Sequence, residues 1–134
     1  GLESSAPVIR IERLGTIADE PVTLLTAYLP TDICPGLVHA PLDGASLYAY
    51  LEGECGVRFV RASSRLEVVF ADPKQAGLLR VKEGHPLIRL EGTSYTESGR
   101  AGEFTSLEYV HERFQFTIES YRDDANQRTL IAAR

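Results

Sequence analysis

The stretch "GEFTSLEYVHERFQF" (102–116) alternates like a β-strand, yet neither of its faces is cleanly apolar. One parity carries Glu103, Thr105, Leu107, Tyr109 and His111; the other carries Phe104, Ser106, Glu108, Val110 and Glu112. A strand with a single buried face sorts hydrophobic from polar residues. This one either faces water as an ordinary edge strand or lines a cavity that needs polar groups.

The neighbouring segments favour a sheet. "HPLIRLEGTSYT" precedes the stretch across the turn "ESGR" (97–100), where Gly99 supplies a positive φ. "VIRIERLGT" (8–16) and "PVTLLTAYLP" (21–30) read as a hairpin closed by "ADE", and "VRFVRASSRLEVVFA" (57–71) reads as a long strand. "FQFTIESYR" (114–122) is a last strand, followed by a tail that is polar and then briefly apolar. Two short helices interrupt the strands. "SLYAYLEG" (46–53) has Ser46 to cap it, an apolar stripe of Leu47, Tyr50 and Leu51, and Gly53 to end it. "DPKQAGLLRV" opens with Asp72 as N-cap, Pro73 at the first helical position and Gln75 three residues after the cap. Helices that do not alternate regularly with hairpin strands give an α+β class with one antiparallel sheet of about six strands.

Composition bounds the function. The chain has 134 residues, 43% hydrophobic and 25% charged, enough for one ordinary domain with its own core. A net charge of −5 argues against a nucleic-acid surface here, because phosphate recognition needs clustered positive charge. Cys34 and Cys55 follow no CxxC pattern and read as two free thiols of a cytosolic protein in preference to the alternative, a disulfide. The spacing of His39, His85 and His111 suggests no metal site, and no apolar run reaches the length of a membrane span. "GLESSAP" (1–7) reads as a linker remnant, and the lack of any Met, even at position 1, is expected of a piece of a longer protein.

Chemistry concentrates in a few residues. Arg13 shares its parity with Ile9 and Ile11, so it either snorkels to water at the strand end or lines a cavity, paired with an anionic ligand or with Glu103. Glu103, Thr105, Tyr109 and His111 would form a polar wall suited to a small hydrophilic molecule. Ser46 and Tyr48 stand at a helix N-terminus, where Ser46 either simply caps or helps to hold an anion. No GxSxG, P-loop, HExxH or GxGxxG is present, so binding is favoured over catalysis and no cofactor is implied.

"IERLGTIADEPVTLLTAYLP", "GASLYAYL" and "HPLIRLEGTSYTESGRAGEFTSLEYVHERFQF", in this order and spacing, resemble the effector-binding (UTRA) domain of GntR-type transcriptional regulators of the HutC subfamily. The resemblance runs from about residue 8 to residue 122, within a domain taken as 8–134. It implies a chorismate-lyase-like fold in a homodimer, sensing a small-molecule effector, often anionic. Operator DNA would be bound only through a separate winged helix-turn-helix domain. The ligand-binding positions it implies are Arg13, Ser46, Tyr48, Glu103 and Tyr109. Relatives that bind amino-sugar phosphates carry a second Arg where this chain has Gly15 and a Glu where it has Leu25. The later family pattern is also altered, with Val110 in place of Arg and Glu112 in place of Asp. The expected effector is therefore not an amino-sugar phosphate but something with fewer charges or an apolar part. A dimerisation module with a degenerate pocket and a chorismate-lyase-like enzyme are the alternatives.

Overall fold

The computed structural model describes residues 7–39, 47–122 and 127–133. Five strands form one antiparallel sheet: β1 (Val8–Ile17), β2 (Glu20–Pro30), β3 (Phe59–Phe70), β4 (Pro86–Thr96) and β5 (Ala101–Tyr109), in the order β1-β2-β5-β4-β3. The opening stretch is thus the central strand of the sheet, with β2 and β4 hydrogen-bonded along its two sides. The edge-strand reading of residues 102–110 is excluded. A separate two-stranded sheet pairs β6 (Phe116–Arg122) with β7 (Gln127–Ala133), so the tail contains a strand that its sequence did not suggest.

The local chemistry explains the turns. Ala18 and Asp19 both take left-handed backbone angles (φ 49° and 64°), which let the β1–β2 hairpin close in two residues. Helix α2 (Pro73–Leu79) begins with a complete capping box: Asp72 accepts from the Gln75 N–H at 2.7 Å, and the Gln75 side chain accepts from the Asp72 N–H at 3.0 Å. Helix α1 (Leu47–Cys55) runs past Gly53, the expected stop, and ends where Gly56 adopts φ 64°. Gly56 rather than Gly53 is the terminating glycine.

Each helix covers one face of the sheet. On one side Ala71, Ala76 and Leu79 pack with Leu24, Leu87 and Val110. On the other, Leu47 and Leu51 of α1 meet Ala27, Leu29, Cys34 and Leu37, with Ile9 and Ile11 at the margin. Spacing by four residues places Leu47, Leu51 and Cys55 on one stripe of α1, and that stripe is what the sheet buries.

Cys34 and Cys55 form a disulfide, not two free thiols, with Cα atoms 5.6 Å apart. Folding α1 back against the end of β2 brings the two residues together. Their sequence separation of 21 carries no motif that would signal the pairing. Closing a loop of this length stabilises the fold by about 3 kcal/mol in the chain-entropy picture, and it ties the C-terminal end of α1 to the segment after β2.

Candidate functional site

Register sorts the side chains of the sheet, because directly opposed residues of an antiparallel pair point to the same face. Four successive rungs of the α1-side face bear on the candidate residues. Ala62, Ser94 and Glu103 form the first. Ser64, Gly92, Thr105, Ala27 and Ile11 form the second. Leu66, Leu90, Leu107, Leu25 and Arg13 form the third, and Val68, Ile88, Tyr109, Thr23 and Gly15 the fourth.

Arg13, Glu103 and Tyr109 therefore share one face, and Tyr48 reaches that face from α1. They are not clustered. Glu103 and Tyr109 lie about 20 Å apart along the strand. Arg13, two rungs and two strands from Glu103, is about 17 Å away. A direct Arg13–Glu103 ion pair, one of the sequence-based alternatives, is ruled out by that register. Arg13 itself is half-buried beside Ile9 and Ile11, as its parity required. Ser46 lies outside the described residues.

Glu103 is the most buried ionisable group of the face, only 1% exposed. The Tyr48 hydroxyl donates to its Oε1 at 2.7 Å, while its Oε2 is buried with no hydrogen-bond partner among the described residues. Burial pushes the Glu103 carboxyl above its usual range, and the Tyr48 hydrogen bond only partly opposes this. Half of the Tyr48 ring is exposed, but its hydroxyl end is set inward; burial and the adjacent Glu103 carboxylate raise the phenol well above its ordinary value. The ring also meets Phe59 edge-on, with centroids 5.9 Å apart. Beside this pair is a cleft of about 400 Å³ lined by Tyr48, Glu52, Val57, Phe59, Ala62 and Ser94. Ser94 is the cross-strand partner of Glu103, so the cleft adjoins the buried carboxyl.

At the far end, the buried Tyr109 ring stacks on Phe114 with centroids 4.9 Å apart and planes inclined by 25°. Burial raises its phenol pKa as well. Between the two ends runs the leucine rung. Gly15 sits against Thr23 so closely that a Cβ there would stand 2.5 Å from Thr23 Oγ1.

The opposite parity of β5 has a different purpose. Glu108 accepts from Arg89 Nε at 3.2 Å, Gln75 Nε2 at 3.2 Å and Ser106 Oγ at 3.4 Å, with Arg89 also 3.9 Å from Glu67. This buried carboxylate anchors α2 to the sheet. Glu103 and Glu108 therefore occupy opposite faces, and each has a buried Oε2 without a hydrogen-bond partner among the described residues. Glu108 Oε1 is held by Arg89, Gln75 and Ser106, whereas Glu103 Oε1 receives the Tyr48 hydroxyl beside a cleft. Sequence inspection did not mark Glu108 as buried, because its partners arrive from β4 and α2.

Comparison with known proteins fits this architecture. The family model for the UTRA domain matches residues 1–115. The chain belongs to the UTRA family. It is 32% identical over 114 residues to the HTH-type transcriptional regulator Rv0792c of Mycobacterium tuberculosis, covering 83% of this chain and 42% of that protein. The crystal structure of a GntR-family transcriptional regulator from Enterococcus faecalis superposes with a TM-score of 0.79 at 25% identity, covering 88% of this chain and 84% of that one. The effector domain of PhnF from Mycobacterium smegmatis does so with a TM-score of 0.77 at 30% identity, covering 84% and 68%. This UTRA chain spans about half the length of the curated relatives it matches.

Proposed function

We propose that this UTRA domain senses a small metabolite for a transcriptional regulator of the GntR family, HutC branch, in the cytoplasm. Binding rather than turnover is its task, and operator DNA is contacted by a helix-turn-helix domain outside this chain. The observation that carries the reading is Glu103: a buried carboxyl with one oxygen fixed by Tyr48 and the other without a partner among the described residues, beside a cleft. Leaving a buried acceptor unsatisfied costs about 1–3 kcal/mol, a cost that a ligand hydroxyl or ammonium donating to Oε2 would remove.

The rungs suggest the rest of the effector. Leu25, Leu107 and Leu90 offer an apolar floor between the Glu103 and Tyr109 ends, and Arg13 closes the same rung. An effector with a hydrogen-bond-donating head at Glu103, an apolar body over the leucines and at most one anionic group toward Arg13 fits this surface. An amino-sugar phosphate fits it poorly, since Gly15 and Leu25 leave no second cation and no second carboxylate there. A thermal-shift screen of sugar phosphates, free sugars, amino-acid catabolites, phosphonates and fatty acids tests this. A ligand at 100 times its Kd adds about 2.7 kcal/mol, or several degrees in melting temperature. The greatest shift is expected from an amphipathic donor. A greatest shift from an amino-sugar phosphate sinks the effector class, and a flat screen of folded protein sinks sensing itself.

The sensing unit is proposed to be a homodimer. The edge strand β3 carries Leu66, Val68 and Phe70 on one face, 55%, 65% and 69% exposed, beside its unpaired edge. A second copy seated on this apolar row would bury it. Sedimentation at micromolar concentration should give a dimer, converted to folded monomer by Val68→Glu. A monomer throughout, or a dimer indifferent to that substitution, contradicts the assignment.

A further inference from the structure

His85, His111 and Glu112 meet beyond the Tyr109 end of the sheet, away from the Tyr48–Glu103 cleft. His85 is the last residue before β4, whereas His111 and Glu112 open the short 3-10 turn that follows β5. Glu112 stands between the two imidazoles: His85 Nε2 is 2.7 Å from its Oε2, and His111 Nε2 is 2.8 Å from its Oε1. The rings lie nearly parallel, inclined by 18° with centroids 6.3 Å apart. One ligand atom from each of the three residues falls within 4.8 Å of the others.

We propose that these three side chains form a binding site for a divalent transition-metal ion of the Zn²⁺ type. Two imidazole nitrogens and one carboxylate oxygen are the donors such ions favour, whereas Mg²⁺ and Ca²⁺ prefer all-oxygen shells. Tetrahedral bonds of about 2.0–2.1 Å set neighbouring ligand atoms about 3.4 Å apart. The two imidazole–carboxylate contacts, 2.7 and 2.8 Å to different oxygens, are shorter than this, and the three donors lie within 4.8 Å of one another. Side-chain adjustments on the order of 1 Å therefore admit the ion. A fourth position stays open to water, because His111 and Glu112 are about half exposed.

Two further observations support the site. His85 Nε2 is shielded from solvent and makes no aligned hydrogen bond among the described residues despite its short contact with Glu112. A bound cation would satisfy that lone pair along its own axis. Both supporting segments are also fixed by the backbone. The His85 carbonyl accepts from Ala71 N–H at 2.9 Å, and its N–H donates to Lys82 O at 3.0 Å. Val110 N–H donates to Val22 O at 2.9 Å, and Arg113 is bonded to three main-chain carbonyls. The ligands are thus presented by anchored elements, and the ion would tie the start of β4 to the connection after β5.

The test is titration of the purified chain, disulfide intact, with ZnCl₂ against a chromogenic chelator, followed by Co²⁺ substitution. One ion per chain is expected, with the visible absorption of tetrahedral Co²⁺. Loss of an outer-shell partner already weakens metal sites about 10–100-fold, so His85→Ala and His111→Ala should each weaken binding by at least about tenfold. His39→Ala should leave it unchanged. His111 is half exposed, so its variant retains the fold, which a thermal melt without metal verifies. Failure of the parent chain to bind Zn²⁺, or binding that survives both histidine substitutions undiminished, overturns the proposal.

Discussion

Glu103→Gln raises the melting temperature at pH 8 and at the same time weakens the effector about ten- to hundredfold. The two effects have one origin. The Glu103 carboxylate is buried and, among the described residues, receives a single hydrogen bond, from Tyr48, with no partner at Oε2. Glutamine keeps an oxygen for the Tyr48 hydroxyl and removes the charge. Its buried NH2 group stays unpartnered, but a neutral amide costs less to bury than a carboxylate, so stability rises by about 1–3 kcal/mol, or roughly 3–10 °C. A ligand hydroxyl or ammonium loses a charge-assisted acceptor worth about 1.5–3 kcal/mol.

The pH dependence fixes the sign. Burial raises the folded-state pKa of Glu103 above the ordinary 4.5, so the folded protein binds more protons than the unfolded chain from about that pH upward. Stability therefore falls as pH rises from 4.5 to the raised folded value and is level beyond it. Glu103→Gln removes this decline, and its advantage over the parent grows with pH across the window. Glu108 is raised in the same direction by burial and contributes its own decline, which the variant leaves in place. Thermal melts of parent and variant from pH 4 to pH 8 separate the two. A gain that does not change with pH means that Glu103 is not the titrating group. Unchanged effector affinity means that Oε2 is not the ligand's acceptor.

Elements whose chemistry is written within a few consecutive residues are legible in the sequence. Asp72, Pro73 and Gln75 announced α2 because a capping box is written within four residues, and "ADE" announced a hairpin for the same reason. Parity put Arg13, Glu103 and Tyr109 on consistent strand faces before any pairing was known. What depends on distant partners stayed hidden. The mixed polarity of residues 102–110 becomes intelligible only when β5 is central, with Tyr48 meeting Glu103 on one face and Arg89 meeting Glu108 on the other. The Cys34–Cys55 bond depends on how α1 folds back, and the His85–His111 approach depends on β4 pairing with β5. Gly53 and Gly56 stand three residues apart, and only the backbone angle at Gly56 decides which of them ends α1.

Arg113 shows how much such a distant constellation can carry, and Arg113→Ala should cost about 3–5 kcal/mol. Its Nη1 donates to Pro21 O at 2.8 Å and Leu79 O at 2.6 Å, its Nη2 to Arg80 O at 2.9 Å, and its Nε stands 2.8 Å from Glu20. Leu79 and Arg80 close α2, where carbonyls lack helical partners and the helix dipole favours a cation. The guanidinium fills that position and reaches the start of β2 at the same time, joining the α2 end, the β1–β2 hairpin and the connection after β5. Removing it leaves partly buried carbonyls unsatisfied at about 1–3 kcal/mol each, softened where water can enter. The Glu20 contact adds little, since that carboxylate is largely exposed. At this chain length the loss corresponds to a fall of roughly 10–15 °C in melting temperature. Arg113→Lys keeps the charge but not the planar fork and should recover less than half of it. Chemical denaturation of both variants checks the order. A lysine variant as stable as the parent would mean that charge alone matters there, and an alanine variant within 1 °C would mean that water replaces all of these bonds.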